Sequence, residues 1–363
     1  MRGRLIVLLF TLAWLVPPSA QSGDAIAELE PIVVSGVQPG PGLWKVSRGG
    51  HVLWVLGVLS PVPRHIEWQT DEVAQRIGES RQVLDMPTAT FDADVGFFGR
   101  IALAPSLIGA RNNPERRMLA DVVPAGQYAR WSTLKQKYIG RSGKVEKWRP
   151  LFAAMELYKK AIDNVGLRSS REVVRTVRGL AEAAGVELVP VRLEIEIDDP
   201  RAAVRQFKKS SLADLECFDM TLDRIEDDLG LMARRANAWA SGDLDALRRL
   251  PYRDQMRSCM DAALSAEVLR ERGIDDLEGR VERIWLEAAK AAIARNDSSF
   301  AMLPMDRMVD ADGFLAQLRA QGYRVEAPDE PVPEAAEEED VQSPPSTKAA
   351  PDPGVGSSTP AAP

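Results

Sequence analysis

Residues 43–60 read Leu-Trp-Lys-Val-Ser-Arg-Gly-Gly-His-Val-Leu-Trp-Val-Leu-Gly-Val-Leu-Ser. Leu43 to Ser47 predicts a short strand, Arg48-Gly49-Gly50 a turn, and His51 to Leu59 a second strand rich in Val, Leu and Trp. Two strands around a Gly-Gly turn make a β-hairpin. A run that is apolar at nearly every position suits a strand buried on both faces. The stretch therefore points to a sheet inside the protein, with helices to cover it.

Upstream, Met1-Arg2-Gly3-Arg4 gives a positive start, and Leu5 to Val16 is apolar except for Thr11. The run matches a signal-peptide core and is short for a membrane span. Pro17 and Pro18 break it, and Ser19-Ala20 supplies the small residues of a cleavage site, placed after Ala20. No cysteine near the site suggests a lipid anchor. Residues 1–20 are expected to direct export, to a periplasm or to the medium. Residues 21–42 are a leader segment with a loop at Pro39-Gly40-Pro41-Gly42. No later stretch is apolar and long enough to span a membrane once the signal is removed.

Downstream, Glu67 to Ser80 reads as a helix and Gln82 to Met86 as a short strand ended by Pro87. Residues 95–184 are mostly helical. Leu151, Met155, Leu157 and Ile162 recur at helical spacing, and Ser169 or Ser170 caps a helix that Gly185 ends. Val186 to Val191 reads as a strand running on through Ile195, and Asp198-Asp199-Pro200 opens the next helix. A long helical insertion follows to Ala240, its apolar residues Leu215, Phe218, Leu222, Ile225 and Leu229 reading as core. Gly279 to Ala294 is the last long helix. Phe300 to Leu303 is a strand, Ala311 to Gln321 a helix, and Tyr323 to Glu326 a closing strand. The fold class is α/β (α+β): a central mixed sheet flanked by helices. From residue 328 onward Pro, Ala, Glu, Ser and Thr dominate, so residues 328–363 are expected to be a disordered tail.

The 363 residues are 45% hydrophobic and 27% charged, with a net charge of −7. That balance argues against nucleic acid, which needs a basic face. There are two cysteines, Cys217 and Cys259. In an oxidising compartment they are a disulfide candidate, worth ~4 kcal/mol by chain entropy. The alternative, a catalytic thiol, needs a histidine nearby, and neither His51 nor His65 is close in sequence.

Several blocks resemble one family, TraB/GumN. Leu43 to Val46 before the hairpin, the strand end Leu56-Gly57-Val58-Leu59-Ser60 followed by Pro61 and Pro63, and Val83-Leu84-Asp85 are similar to its opening strands. Val189 to Glu194 resembles a later strand. Ala238-Trp239-Ala240-Ser241-Gly242-Asp243 resembles a block in which tryptophan precedes Gly-Asp, and Phe300 to Glu326 resembles the family's C-terminal end. The likeness covers about residues 43–327.

The resemblance implies a metal-dependent hydrolase in which two Gly-x-x-His histidines and strand-end carboxylates hold a divalent ion. Such an ion makes hydroxide available near neutral pH. This chain departs from that pattern. Gly57 is present, but the first motif ends in Ser60. The second aligns with Pro304-Met305-Asp306-Arg307, so arginine stands at the histidine position. Asp85 replaces the usual glutamate, and Glu194 matches. Arginine stays cationic and cannot ligate a metal. His51 should lie roughly 25–30 Å from Ser60 along an extended strand. His65, five residues past Ser60 in a Pro-rich loop, can reach the site only by folding back. Ser60 as a nucleophile lacks a placed base. Two readings of the carboxylates stay open. Arg307 pairs with Asp85 or Glu194 and replaces the metal structurally, or both carboxylates bond backbone amides at strand ends. The expectation is a degenerate site at Gly57, Ser60, Asp85, Glu194 and Arg307, with no catalytic residue, metal or cofactor. The protein then acts by binding a small ligand or another protein. The alternative is an active peptidase-like hydrolase with a rearranged, divalent-metal site.

Overall fold

The computed structural model describes residues 34, 36–92, 109–197, 199–209, 214–250 and 276–330. The expected signal peptide, the tail from residue 331 and Cys259 lie outside these residues. The compact unit described below ends at Pro328.

In chain order the strands are β1 (Gly36–Gln38), β2 (Leu43–Arg48), β3 (His51–Val58), β4 (Val62–Pro63), β5 (Ile66–Trp68), β6 (Gln82–Leu84), β7 (Thr88–Asp92), β8 (Leu167–Arg168), β9 (Glu187–Val189), β10 (Arg192–Glu196), β11 (Ser298–Pro304) and β12 (Arg324–Glu326). The α-helices before residue 200 are α1 (Asp71–Gly78), α2 (Leu119–Val122), α3 (Ala125–Tyr138), α4 (Pro150–Asn164) and α5 (Arg171–Ala183). Those after it are α6 (Pro200–Lys209), α7 (Asp214–Asp227), α8 (Leu229–Ser241), α9 (Leu244–Arg249), α10 (Leu277–Arg295), α11 (Met305–Val309) and α12 (Phe314–Ala320).

The central sheet has the order β12-β2-β3-β11-β6-β9 and is mixed. β2 runs antiparallel to β3 and to β12, while β3, β11, β6 and β9 are parallel. The hairpin closes as its sequence predicts: Arg48 faces His51, and Gly49 and Gly50 both take positive φ, 59° and 86°. A two-residue hairpin turn of this kind needs that conformation twice, which glycine adopts without a Cβ penalty. Leu53, Val55 and Leu56 on β3 and Phe300 to Leu303 on β11 are fully buried. Each large side chain removed from water there contributes roughly 1.5–3 kcal/mol.

Helices cover the sheet. α10 packs on β3, β11 and β6, and α1 packs on β11 and α5. Asp276 caps α10 by accepting a hydrogen bond from the Gly279 amide at 2.9 Å. Its buried side carries Trp285, whose ring meets Phe314 of α12 edge-on at 5.0 Å. The expected insertion takes in α6, α7 and α8; α7 packs on α8 and on α4 and α3 of the helical region before it. Phe218, Leu222, Ile225 and Leu229 are core residues there, but Leu215 and Met155 are partly exposed, so two positions of the helical stripes face outward. Buried ion pairs fix the insertion: Arg235 to Asp228 at 2.8 Å, and Arg149 to Asp214 at 3.5 Å. Burial pushes the Asp214 carboxyl up and the Arg149 guanidinium down, each opposed by the charge of the other.

Three expectations change. Glu67 to Ser80 is not one helix: β5 takes Ile66–Trp68 and pairs in parallel with β1, and the helix begins at Asp71. The leader segment thus contributes a strand. The run from Val186 to Ile195 is not one strand either. Pro190 has no amide to donate, and after it the chain leaves the central sheet. β9 stays beside β6, whereas β10 pairs with β7 in a separate two-stranded sheet. Glu194 therefore sits on a different sheet from Asp85.

Candidate functional site

Parallel β3, β11, β6 and β9 all end at the same edge of the sheet, where ligands of open α/β sheets bind. Register sets the levels. Gly57 lies opposite Leu303, Val58 opposite Pro304, and Leu84 opposite both Ala301 and Val189. Gly57, Ser60, Asp85 and Arg307 all lie at or just beyond this edge, but the side chains of Ser60, Asp85 and Arg307 do not converge.

Gly57 is a packing glycine. A Cβ on it would come within 2.3 Å of the Met305 Sδ and 2.8 Å of the Met308 Cε. Its carbonyl accepts a 2.7 Å hydrogen bond from the Trp239 indole. Trp239 is fully buried and tilts against Trp68 at 6.0 Å. The neighbours of Trp239 have equally local roles. Gly242 ends α8 in the left-handed conformation with φ 73°, and the Asp243 carboxylate caps α9 by accepting from the Ala246 amide at 2.8 Å. The Trp-Ala-Ser-Gly-Asp block therefore ties the helical insertion to the end of β3.

Ser60 is exposed, beside the cis Ser60–Pro61 peptide. Arg307 does not meet Asp85 or Glu194. Met305 and Met308, three apart on α11, share the buried face over Gly57, which turns Arg307 towards α10. Its guanidinium meets Asp310 at 2.7 Å, Glu282 at 3.1 Å and Glu278 at 3.3 Å. Burial pulls its pKa down, but Glu282, Glu278 and Asp310 outweigh that and hold it above the usual arginine value. Gly313 makes room beside it, since a Cβ there would overlap the Arg307 carbonyl.

Asp85 is buried and has a different cation. Arg178 of α5 donates from Nε at 3.2 Å and from Nη2 at 2.7 Å, a two-pronged match to the carboxylate. The Met86 amide donates to the same carboxylate at 2.8 Å. Both ideas about strand-end carboxylates are thus combined at one residue, with Arg178 in the place expected of Arg307. Glu194 is exposed and has Arg192 at 3.6 Å. His51, at the opposite end of β3, bonds the Asn296 carbonyl at 2.8 Å, and His65 is exposed in the turn before β5. Sequence reading did not single out Arg178. Its only signal was position: it borders the apolar face of α5 formed by Val173, Val177 and Ala181.

The residues present do not fit the metal that the family resemblance implies. Among the described residues no group of three or more His, Cys, Asp or Glu side chains converges. Both oxygens of the carboxylate at the end of β6 are engaged by Arg178, one of them also by an amide, and two thioethers fill the space over Gly57. A cavity of about 480 Å³ opens beyond β6 and β9, next to Asp85. Among the described residues no helix is long and apolar enough to cross a membrane.

The sequence model of the TraB/PrgY/gumN family matches residues 42–327. No curated protein and no solved structure matches the chain significantly.

Proposed function

The chain belongs to the TraB/PrgY/gumN family, and from that premise we propose that it uses the domain to bind rather than to hydrolyse. The observation that carries the proposal is the Asp85–Arg178 pair. A divalent ion at Asp85 would have to displace a bidentate guanidinium from a buried carboxylate, and among the described residues no group of ligands converges there. Ser60 offers a neutral hydroxyl, and Arg307 is committed to three carboxylates. The protein is then a degenerate member that works outside the cytoplasm, in a periplasm or the medium, because residues 1–20 carry the pattern of a signal peptide. Its partner is a small ligand or a protein.

Elemental analysis of the purified protein, with thermal melts in added zinc, manganese or cobalt, tests this. The proposal expects neither stoichiometric metal nor stabilisation. A metal bound one per chain, with hydrolysis of a peptide substrate, overturns it in favour of a rearranged hydrolase site.

A further inference from the structure

The cavity at the ends of β6 and β9 has the size of a small-molecule site and a mixed wall. Thr88 and Arg192 face each other across the β7–β10 pair, and Thr90 lies two residues on, so all three project from one face of that small sheet. Leu193 and Ile195 alternate with them and are buried on the other face. Arg178 closes the cavity from the α5 side. Its Nε and Nη2 are taken by Asp85, and its Nη1 meets no acceptor among the described residues. Among the described residues Arg192 meets Glu194, at 3.6 Å, and both of those side chains are about half or more exposed, so that pair is weak.

Two guanidinium groups against the Asp85 carboxylate leave the lining itself with an excess of one positive charge, which Glu194, opposite Thr90 on the same face and 61% exposed, offsets only through water at the rim. A cation is disfavoured there. A multiply charged anion would meet the fixed Asp85 charge. The rest of the wall is apolar: Met86, Val191 and Leu188, the last exposed despite its size. Charge, fork geometry and apolar wall together select a monoanion with a hydrocarbon part. We propose that this cavity binds a small organic carboxylate carrying a short apolar tail, its carboxylate held by Arg192 and the free edge of Arg178. The inference rests on the binding role proposed above and gives it a ligand class.

Hexanoate is the probe, titrated calorimetrically into the purified protein beside hexanamide, hexylamine and inorganic phosphate. Hexanoate should bind saturably, and the other three at least about tenfold more weakly, the scale of a lost charge-assisted hydrogen bond. Arg192→Gln should weaken hexanoate about tenfold with an unchanged melting temperature. The double variant Asp85→Asn/Arg178→Gln removes both charges of the buried pair together and should weaken it further. No saturable hexanoate binding up to about 50 mM, far above typical ligand affinities, overturns the inference. So does equal binding of phosphate or hexanamide, or an Arg192→Gln variant that binds normally. Metal uptake is measured separately, so the binding role and the ligand class can fail independently.

Discussion

The Trp239 indole donates a 2.7 Å hydrogen bond to the Gly57 carbonyl, joining residues 182 apart in sequence. This bond fixes the last helix of the insertion against the end of the central strand. Trp239→Phe keeps most of the ring and loses the donor, leaving the Gly57 carbonyl without it. It should cost about 1–3 kcal/mol of unfolding free energy. Trp239→Ala also opens a cavity and should cost about 3–5 kcal/mol. Urea denaturation monitored by far-ultraviolet circular dichroism measures both. Equal stability of wild type and Trp239→Phe would show that the bond does not hold the insertion in place.

Gly57 leaves no space for a side chain under Met305. Gly57→Ala should destabilise the protein by about 1–3 kcal/mol through overpacking. Met305→Ala in the Gly57→Ala background should recover part of that loss, whereas Met305→Ala alone should be destabilising. A double-mutant cycle by chemical denaturation gives the coupling, and strictly additive effects would contradict the contact.

The Asp85–Arg178 pair is asymmetric, since the Asp85 side chain is 12% exposed and that of Arg178 49%. Removing the arginine strands a buried carboxylate. Removing the carboxylate leaves a cation that water reaches. Arg178→Met should therefore cost about 1–3 kcal/mol and Asp85→Asn less. Chemical denaturation of the two single variants measures the order. A loss from Asp85→Asn as large as that from Arg178→Met would contradict the asymmetry.

Asp228 and Arg235 are buried deeper, with side chains 1% and 4% exposed. Arg235→Met leaves Asp228 with Arg224 at 3.7 Å and should cost about 3–5 kcal/mol. Asp228→Leu combined with Arg235→Met should be less damaging, because the two most deeply buried charges go together and the remaining Arg224, 14% exposed, still reaches water. The order of the melting temperatures checks it.

Cys217 is fully buried on α7. If the chain is exported, Cys217 and Cys259 are expected to be bonded, adding ~4 kcal/mol by chain entropy. Peptide mapping without reductant should recover the two cysteines in one linked species. Alkylation of both in the unfolded, unreduced protein would rule the bond out.

The sequence made the hairpin readable because Gly-Gly and an unbroken apolar run are local signals, and β2, β3 and their turn form as those signals require. The split of the strand after β9 was also written there, in Pro190, but the apolar alternation across it concealed the change of sheet. The candidate site was legible as positions and not as contacts. Asp85 and Arg178 are 93 residues apart, and nothing near either one announces the other. Arg307 finds Glu282 on a preceding helix because Met305 and Met308 claim the inward face of α11. That choice is settled by packing and is invisible in the aligned motif.

The most direct test of the central claim is metal content. Purified protein should contain well under one zinc, manganese or cobalt per chain, and its melting temperature should not move when each ion is added. One tightly bound ion per chain, lost together with a measurable hydrolytic activity on chelation, would contradict it.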